Sequence, residues 1–298
     1  MAARDLSRPV AVASPAAQAG PMLMRIVEPV QLLAARRHVR ANRDGAGGDG
    51  VTLDGFAARL EREIPTLAAE VANGRYRPGP LRRVAIPKAD GGVHVLAIPC
   101  VRDRVAQGAT LAVLQPVLEP RQSDASYAYR PARGVSDALA AVRLAHEAGL
   151  VWTLEADIAQ CFDRIPHRRL LAELSIWVGE EEVLGLVAHW LHGFSRTGRG
   201  IAQGAPIAPL LCNLYLHPLD RLLVAAGHTP VRYADDFVVL SADARGAERA
   251  RRVACGVLGE RSLALKPAKT RLIPPGSRFR FLEQTLAAPQ PRADALFA

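Results

Sequence analysis

The chain is short of cysteine, lysine and aromatic side chains, and it contains no long apolar run. Its four cysteines, Cys100, Cys161, Cys212 and Cys255, lie far apart with no C-x-x-C pair, which argues against a zinc cage and against a disulfide framework. They read as small buried hydrophobes. No stretch approaches the roughly 18 apolar residues that a membrane helix needs, and the N-terminus has no charged region followed by a compact apolar run. A cytoplasmic protein with no membrane partner is expected. Aromatics make up only 5% of the 298 residues, but 49% are hydrophobic and 22% charged. That suits one large or two modest cores and excludes disorder of the whole chain.

The balance of charge is basic, net +9 with a pI near 10.0, which points to a polyanionic partner such as nucleic acid. Lysine occurs only at Lys88, Lys266 and Lys269, against 35 arginines and abundant alanine. Such skew looks like coding bias, so the sign of the charge carries meaning and the preference for arginine carries little. The three places where lysine persists are of interest for the same reason.

Residues 1–27 are rich in Ala, Pro and Ser without periodicity and read as a disordered leader. Helical spacing then runs over 26–40 and is broken by the glycine-rich 42–50; a second helix over 53–72 ends at Asn73-Gly74. Two β-type runs, 81–87 and 93–98, flank Asp90-Gly91-Gly92, a hairpin signal. Helices are predicted over 102–118, 135–148, 206–223 and 247–258, one more opening at Pro166, with a strand over 152–158 and a strand pair over 231–240. This mixed order argues for an α+β fold, helices packed on a small antiparallel sheet.

The informative segment is Val231-Arg232-Tyr233-Ala234-Asp235-Asp236-Phe237-Val238-Val239-Leu240, where two adjacent carboxylates interrupt an apolar strand pattern. Adjacent aspartates repel, and partial burial makes each ionised form costlier, so a positive group should sit there unless the pair is a solvated turn. A second β-type run, Leu154-Glu155-Ala156-Asp157, also ends on an acid. Two strands delivering carboxylates to one sheet end would build an all-oxygen site suited to Mg²⁺ and to two-metal phosphoryl transfer. Asp163 reads as a helix-entry residue, and His189 and His192 as a helix surface without further ligands.

These segments belong to an ordered set that resembles the reverse transcriptases, in particular the bacterial group II intron-like branch. Tyr233-Ala234-Asp235-Asp236 resembles the signature box, Asp157 with Phe162 the first catalytic strand, and Gln203-Gly204-x-Pro206-x-x-Pro209-Leu210-Leu211 the nucleotide-site helix. Ile86-Pro87-Lys88 and Ile98-Pro99-x-Val101-Arg102-Asp103-Arg104 resemble fingers motifs, and Asn42 with Asp49-Gly50 the N-terminal extension. Pro267-Ala268-Lys269-Thr270 resembles the lysine motif and Phe281-Leu282 the start of the primer grip. The resemblance implies a right-hand polymerase with fingers and palm, the palm a small antiparallel sheet flanked by helices. The extension and fingers would span 28–150, the palm 151–286 with a fingers insertion around 176–205, and a tail 287–298.

The implied activity is RNA-directed DNA synthesis, with RNA template, primer strand and dNTPs as partners and two Mg²⁺ ions as cofactors. Asp157, Asp235 and Asp236, with the Ile158 carbonyl, would hold the ions. Lys88, His94, Ile158, Phe162, Gln203, Gly204 and Lys269 would handle the nucleotide, Phe162 excluding a 2′-hydroxyl and Lys269 protonating pyrophosphate. Arg102, Arg104, Tyr127, Arg130, Phe281 and Leu282 would contact nucleic acid. Two positions and the length depart from the family pattern: His94 stands where arginine is usual, a weaker anchor near pH 7, Glu283 follows Leu282 where glycine is usual, and little sequence remains for a thumb. A structured RNA or a partner protein would then supply the thumb. The alternative is a weakly active or inactive reverse-transcriptase-like RNA-binding scaffold, maturase-like or linked to antiviral defence.

Overall fold

The computed structural model describes residues 20–41, 45–87 and 93–290, with the side chains of Val93 and His94 excepted. Lys88, Asn42, residues 1–19 and most of the tail lie outside the described residues. The chain forms two compact units, one of residues 20–121 with 162–214 and one of 122–161 with 215–290.

The first unit is mainly helical. It holds α1 (Met22–Val27), α2 (Pro29–Ala41), α3 (Leu53–Ala57), α4 (Leu60–Ala72), an antiparallel hairpin of β1 (Arg82–Pro87) and β2 (Val93–Ile98), and α5 (Val101–Leu118). Helix α1 lies inside the segment read as a leader. Its N-terminal amides at Met22 and Leu23 donate to the Glu180 carboxylate at 2.5 and 3.0 Å, and Ile26 and Val27 are buried. A carboxylate there satisfies orphan N–H groups and complements the helix dipole, but it comes from 158 residues away, beyond the reach of local patterning. Polar residues tie this unit internally: the Tyr76 hydroxyl donates to Asp103 Oδ1 at 2.5 Å and accepts from Trp190 Nε1 at 3.0 Å.

The second unit is built on a sheet. Helix α6 (Val135–Glu147) precedes β3 (Trp152–Asp157), after which the chain enters α7 (Cys161–Arg164) and the helical unit's α8 (His167–Ser175) and α9 (Glu181–Phe194). It returns through α10 (Ala208–Ala225) to β4 (Thr229–Tyr233), β5 (Asp236–Ser241) and α11 (Ala244–Glu260), then β6 (Arg271–Ile273) and a hairpin of β7 (Arg278–Phe281) and β8 (Gln284–Ala287). The sheet order is β4-β5-β3-β6, every neighbour antiparallel. The apolar face of α6, with Ala138, Leu139, Val142 and Ala145, joins a core with Val231, Val238, Leu240, Phe279 and Phe281. That burial draws residues 122–150 into the sheet unit. Residues 162–214 belong with the helical unit.

Strands β6 to β8 were invisible to periodicity because each has only three or four residues. The β7–β8 turn is Leu282-Glu283, with φ of 52° and 64°. Two-residue hairpin loops favour this left-handed pair because it matches strand twist, and glycine fits it without a Cβ clash. Glu283→Gly is therefore expected to stabilise the protein by about 1 kcal/mol, seen as a Tm higher by a few degrees in calorimetry.

Candidate active site

The site begins with strand register. In the β3–β5 pair Asp157 stands directly opposite Asp236, so both strands bring a carboxylate to the same end of the sheet. Asp235 lies in the two-residue β4–β5 turn beside Ala234, whose φ is 60°. The Ile158 amide donates to the Asp235 carbonyl at 3.1 Å, which joins the turn to the strand carrying Asp157. Beyond β3 the backbone stays paired: Lys266 donates to the Asp157 carbonyl at 2.7 Å and Ala159 to the Ala264 carbonyl at 2.9 Å. That pairing places the 3₁₀ turn Pro267–Lys269 next to the acids.

Electrostatics follow from this crowding. Burial, then the charges of Asp157 and Asp235, push the Asp236 carboxyl up to about 7. Lys269 offsets part of it, with its Nζ 2.7 Å from Asp157 Oδ2. The hydrogen bond to Asp157 in turn raises the Lys269 pKa, outweighing its partial desolvation. Glu155, two residues before Asp157, is occupied by Arg271 at 2.7 Å. Among the described residues no three His, Cys, Asp or Glu side chains are grouped closely enough to hold a metal ion. At Asp157 the ammonium stands where a cation would. The donor set is nonetheless hard and oxygen-only, the ligand chemistry that Mg²⁺ takes.

Arg232 is the neighbour of the acidic turn that sequence reading missed. It is fully buried on β4, donating to both oxygens of buried Asp220 at 2.7 and 2.6 Å, to Ser126 Oγ at 2.8 Å and to the Ala234 carbonyl at 2.9 Å. The available signal was an arginine inside an apolar strand run, since a buried guanidinium requires a buried anion.

The remaining predicted residues divide. Phe162, Gln203 and Gly204 belong to the helical unit, where the Phe162 ring is buried. The Gln203 carbonyl accepts from Ala97 of β2 at 2.8 Å, and Gly204 has φ 111° with the Ala97 oxygen 3.2 Å from where a Cβ would lie. His94 is described only in its backbone, paired with Ile86. Four of the residues assigned to nucleic acid have partners within the protein. Buried Arg104 donates to the Gly45 carbonyl at 2.6 Å, and buried Arg130 to the Ser123 and Ser126 carbonyls at 2.5 and 2.7 Å, so neither guanidinium is presented to a phosphate. Arg102 is engaged by Glu70 at 2.5 Å and lies over the Tyr76 ring, and Phe281 packs inside the sheet unit's core. Tyr127 and Leu282 are half-buried, with Arg133 over the Tyr127 ring.

The family described as "Reverse transcriptase (RNA-dependent DNA polymerase)" matches residues 86–286. The chain belongs to this family. Among curated relatives, Protein YkfC of Escherichia coli is 29% identical over 89% of this chain and 82% of its own length. The group II intron-encoded protein LtrA of Lactococcus lactis is 30% identical over 67% of this chain, but only 34% of its own length is covered. The Candida albicans telomerase solved with a TWJ fragment of telomeric RNA superposes with a TM-score of 0.55 at 12% identity, over 73% of this chain and 46% of that one. Its likeness shows the reverse transcriptase fold. Asp157, Asp235, Asp236, Gln203, Gly204 and Lys269 all lie within the matched residues.

Two outcomes follow from the geometry. With Asp236 titrating near 7 in the fold and near 3.9 when unfolded, the folded state holds the extra proton between those values, so metal-free stability should fall as pH rises from about 4 to about 7. Asp236→Asn should flatten that slope and raise Tm at pH 8, read by thermal melts across pH. Gly204→Ala must adopt a left-handed φ against a carbonyl, and should cost about 1–2 kcal/mol of stability in denaturant titration.

Proposed function

We propose that the chain is an RNA-directed DNA polymerase that adds dNTPs to a primer 3′-hydroxyl. The observation carrying the proposal is the pairing of Asp157 with Asp236, beside Asp235, at one sheet end with Lys269 as their cation. Asp157, Asp235 and Asp236, with the Ile158 carbonyl, would hold Mg²⁺. Two such ions, when bound, would activate the attacking hydroxyl and steady the leaving oxygen.

The chain's own residues take the remaining tasks. Lys269 rests on Asp157; once it leaves that carboxylate it loses the hydrogen bond that raises its pKa and becomes the better acid for departing pyrophosphate. Gln203 and Gly204, held against β2, form a loop of fixed shape in which the absence of a side chain permits close approach of a nucleotide. Phe162 is assigned to the sugar, where its ring leaves no room for a 2′-hydroxyl, and Lys88 and His94 to the triphosphate. A net charge of +9 suits RNA and primer as partners. LtrA is a group II intron-encoded protein and the Candida telomerase structure contains telomeric RNA, both consistent with this assignment.

Primer extension on an RNA template with Mg²⁺ and dNTPs tests the proposal. The wild type should extend, and Asp235→Ala/Asp236→Ala should lose about 10²-fold or more, the equivalent of several kcal/mol of electrostatic stabilisation. Phe162→Ala should admit rNTPs. Extension by neither protein, with RNA still bound, would support the RNA-binding scaffold instead.

A further inference from the structure

We infer that Arg232 and Asp220 are positioning residues for the acidic turn, a role that rests on the polymerase reading above. The two side chains form a bidentate pair, Nε to Oδ1 at 2.7 Å and Nη2 to Oδ2 at 2.6 Å, and both are buried. Because Asp220 neutralises Arg232, the guanidinium is not a counter-ion for the catalytic acids. Its work is geometric. The planar fork fixes the direction of the remaining nitrogen, and Nη1 donates to the Ala234 carbonyl at 2.9 Å.

Ala234 is the residue that needs holding. It has φ of 60°, a conformation that costs a side-chain-bearing residue energy, in a two-residue turn where glycine would be at ease. Its carbonyl carbon is bonded to the nitrogen of Asp235, and Asp236 opens β5 opposite Asp157. Repulsion among the three carboxylates pushes this turn open, and strain in Ala234 pushes the same way. Arg232 opposes both from the buried side. Its own backbone is fixed between Ala125 and Tyr127, whose carbonyl and amide bond it at 2.7 and 2.9 Å, and Ser126 Oγ accepts from Nη2. A buried ion pair is a poor source of stability compared with packed apolar residues. Its value here lies in setting the place of a strained peptide next to the acids.

The test compares wild type, Arg232→Lys, Asp220→Asn, the apolar pair Arg232→Met/Asp220→Leu, and Arg232→Lys/Ala234→Gly. Read-outs are kcat and KM for dNTP in primer extension, Mn²⁺ binding by electron paramagnetic resonance, and Tm. Displacement of the acids by even a fraction of an ångström should cut kcat by about 10- to 100-fold with little change in KM, and weaken Mn²⁺ binding. The apolar pair should show this while keeping a Tm near wild type. Ala234→Gly should restore part of the loss in the Arg232→Lys background, because glycine takes the left-handed turn unaided. Asp220→Asn, which preserves shape, gives the same comparison if the larger changes prevent folding.

Wild-type kcat in folded Arg232→Lys and Asp220→Asn would overturn the positioning role and leave the polymerase assignment intact. An inactive wild type that binds Mn²⁺, with weaker binding in the variants, would remove the assignment and keep the positioning role. Mn²⁺ binding that is absent, or equal in all folded proteins when none extends a primer, would overturn both.

Discussion

Like-charge crowding at the shared end of β3 and β5 is the constraint to which the sheet unit answers. Asp157 and Asp236 face each other there beside Asp235, and burial with the charges of the other two pushes the Asp236 carboxyl up to about 7. The fold meets that cost without neutralising it. Lys269 is delivered by a stretch of backbone that continues the pairing of β3, while Arg232 arrives already paired with Asp220. One cation therefore answers the charge and another, electrically silent, answers the geometry. The residual negative potential would favour a cation at that end of the sheet.

Arginine in this chain shows how far composition can mislead. Arg102 and Arg104 read as contacts to a template backbone, yet they and Asp103 between them each have a partner within the protein. Arg102 bonds Glu70, Asp103 gathers the Tyr76 hydroxyl and the Gly79 amide, and Arg104 closes on the Gly45 carbonyl. Burial keeps Asp103 above its ordinary carboxylate range, so even this acid is part of the scaffold.

The acids were legible because polar residues inside apolar strand patterns violate the period, and Asp157, Asp235 and Asp236 do so visibly. Gly204 was legible as a place of close approach. Helices α2, α4, α5, α6, α8, α10 and α11 and the three longer sheet strands followed from periodicity and turn residues, whereas α1 and α9 did not. What escaped was long-range satisfaction: Glu180 at the start of α1, Asp220 under Arg232, and Trp190 on Tyr76. A one-dimensional pattern records that a residue is charged but not whether a partner 12 or 158 positions away has buried it. Arg104, Arg130 and Phe281, assigned to nucleic acid from the motifs, each have internal partners that no pattern records.

The interleaving of the two units has a consequence for the order in which the chain can mature. Strand β3 is made early, but both of its sheet neighbours, β5 and β6, lie later in sequence, beyond the whole segment 162–214. During synthesis an apolar strand ending in Asp157 must wait with both edges unpaired until residues 236–273 emerge. The helical unit can close first, from contacts complete by residue 214. The acidic centre is thus assembled last, by the same pairing that brings Asp236 opposite Asp157, and a nascent chain stopped before β5 lacks half of it.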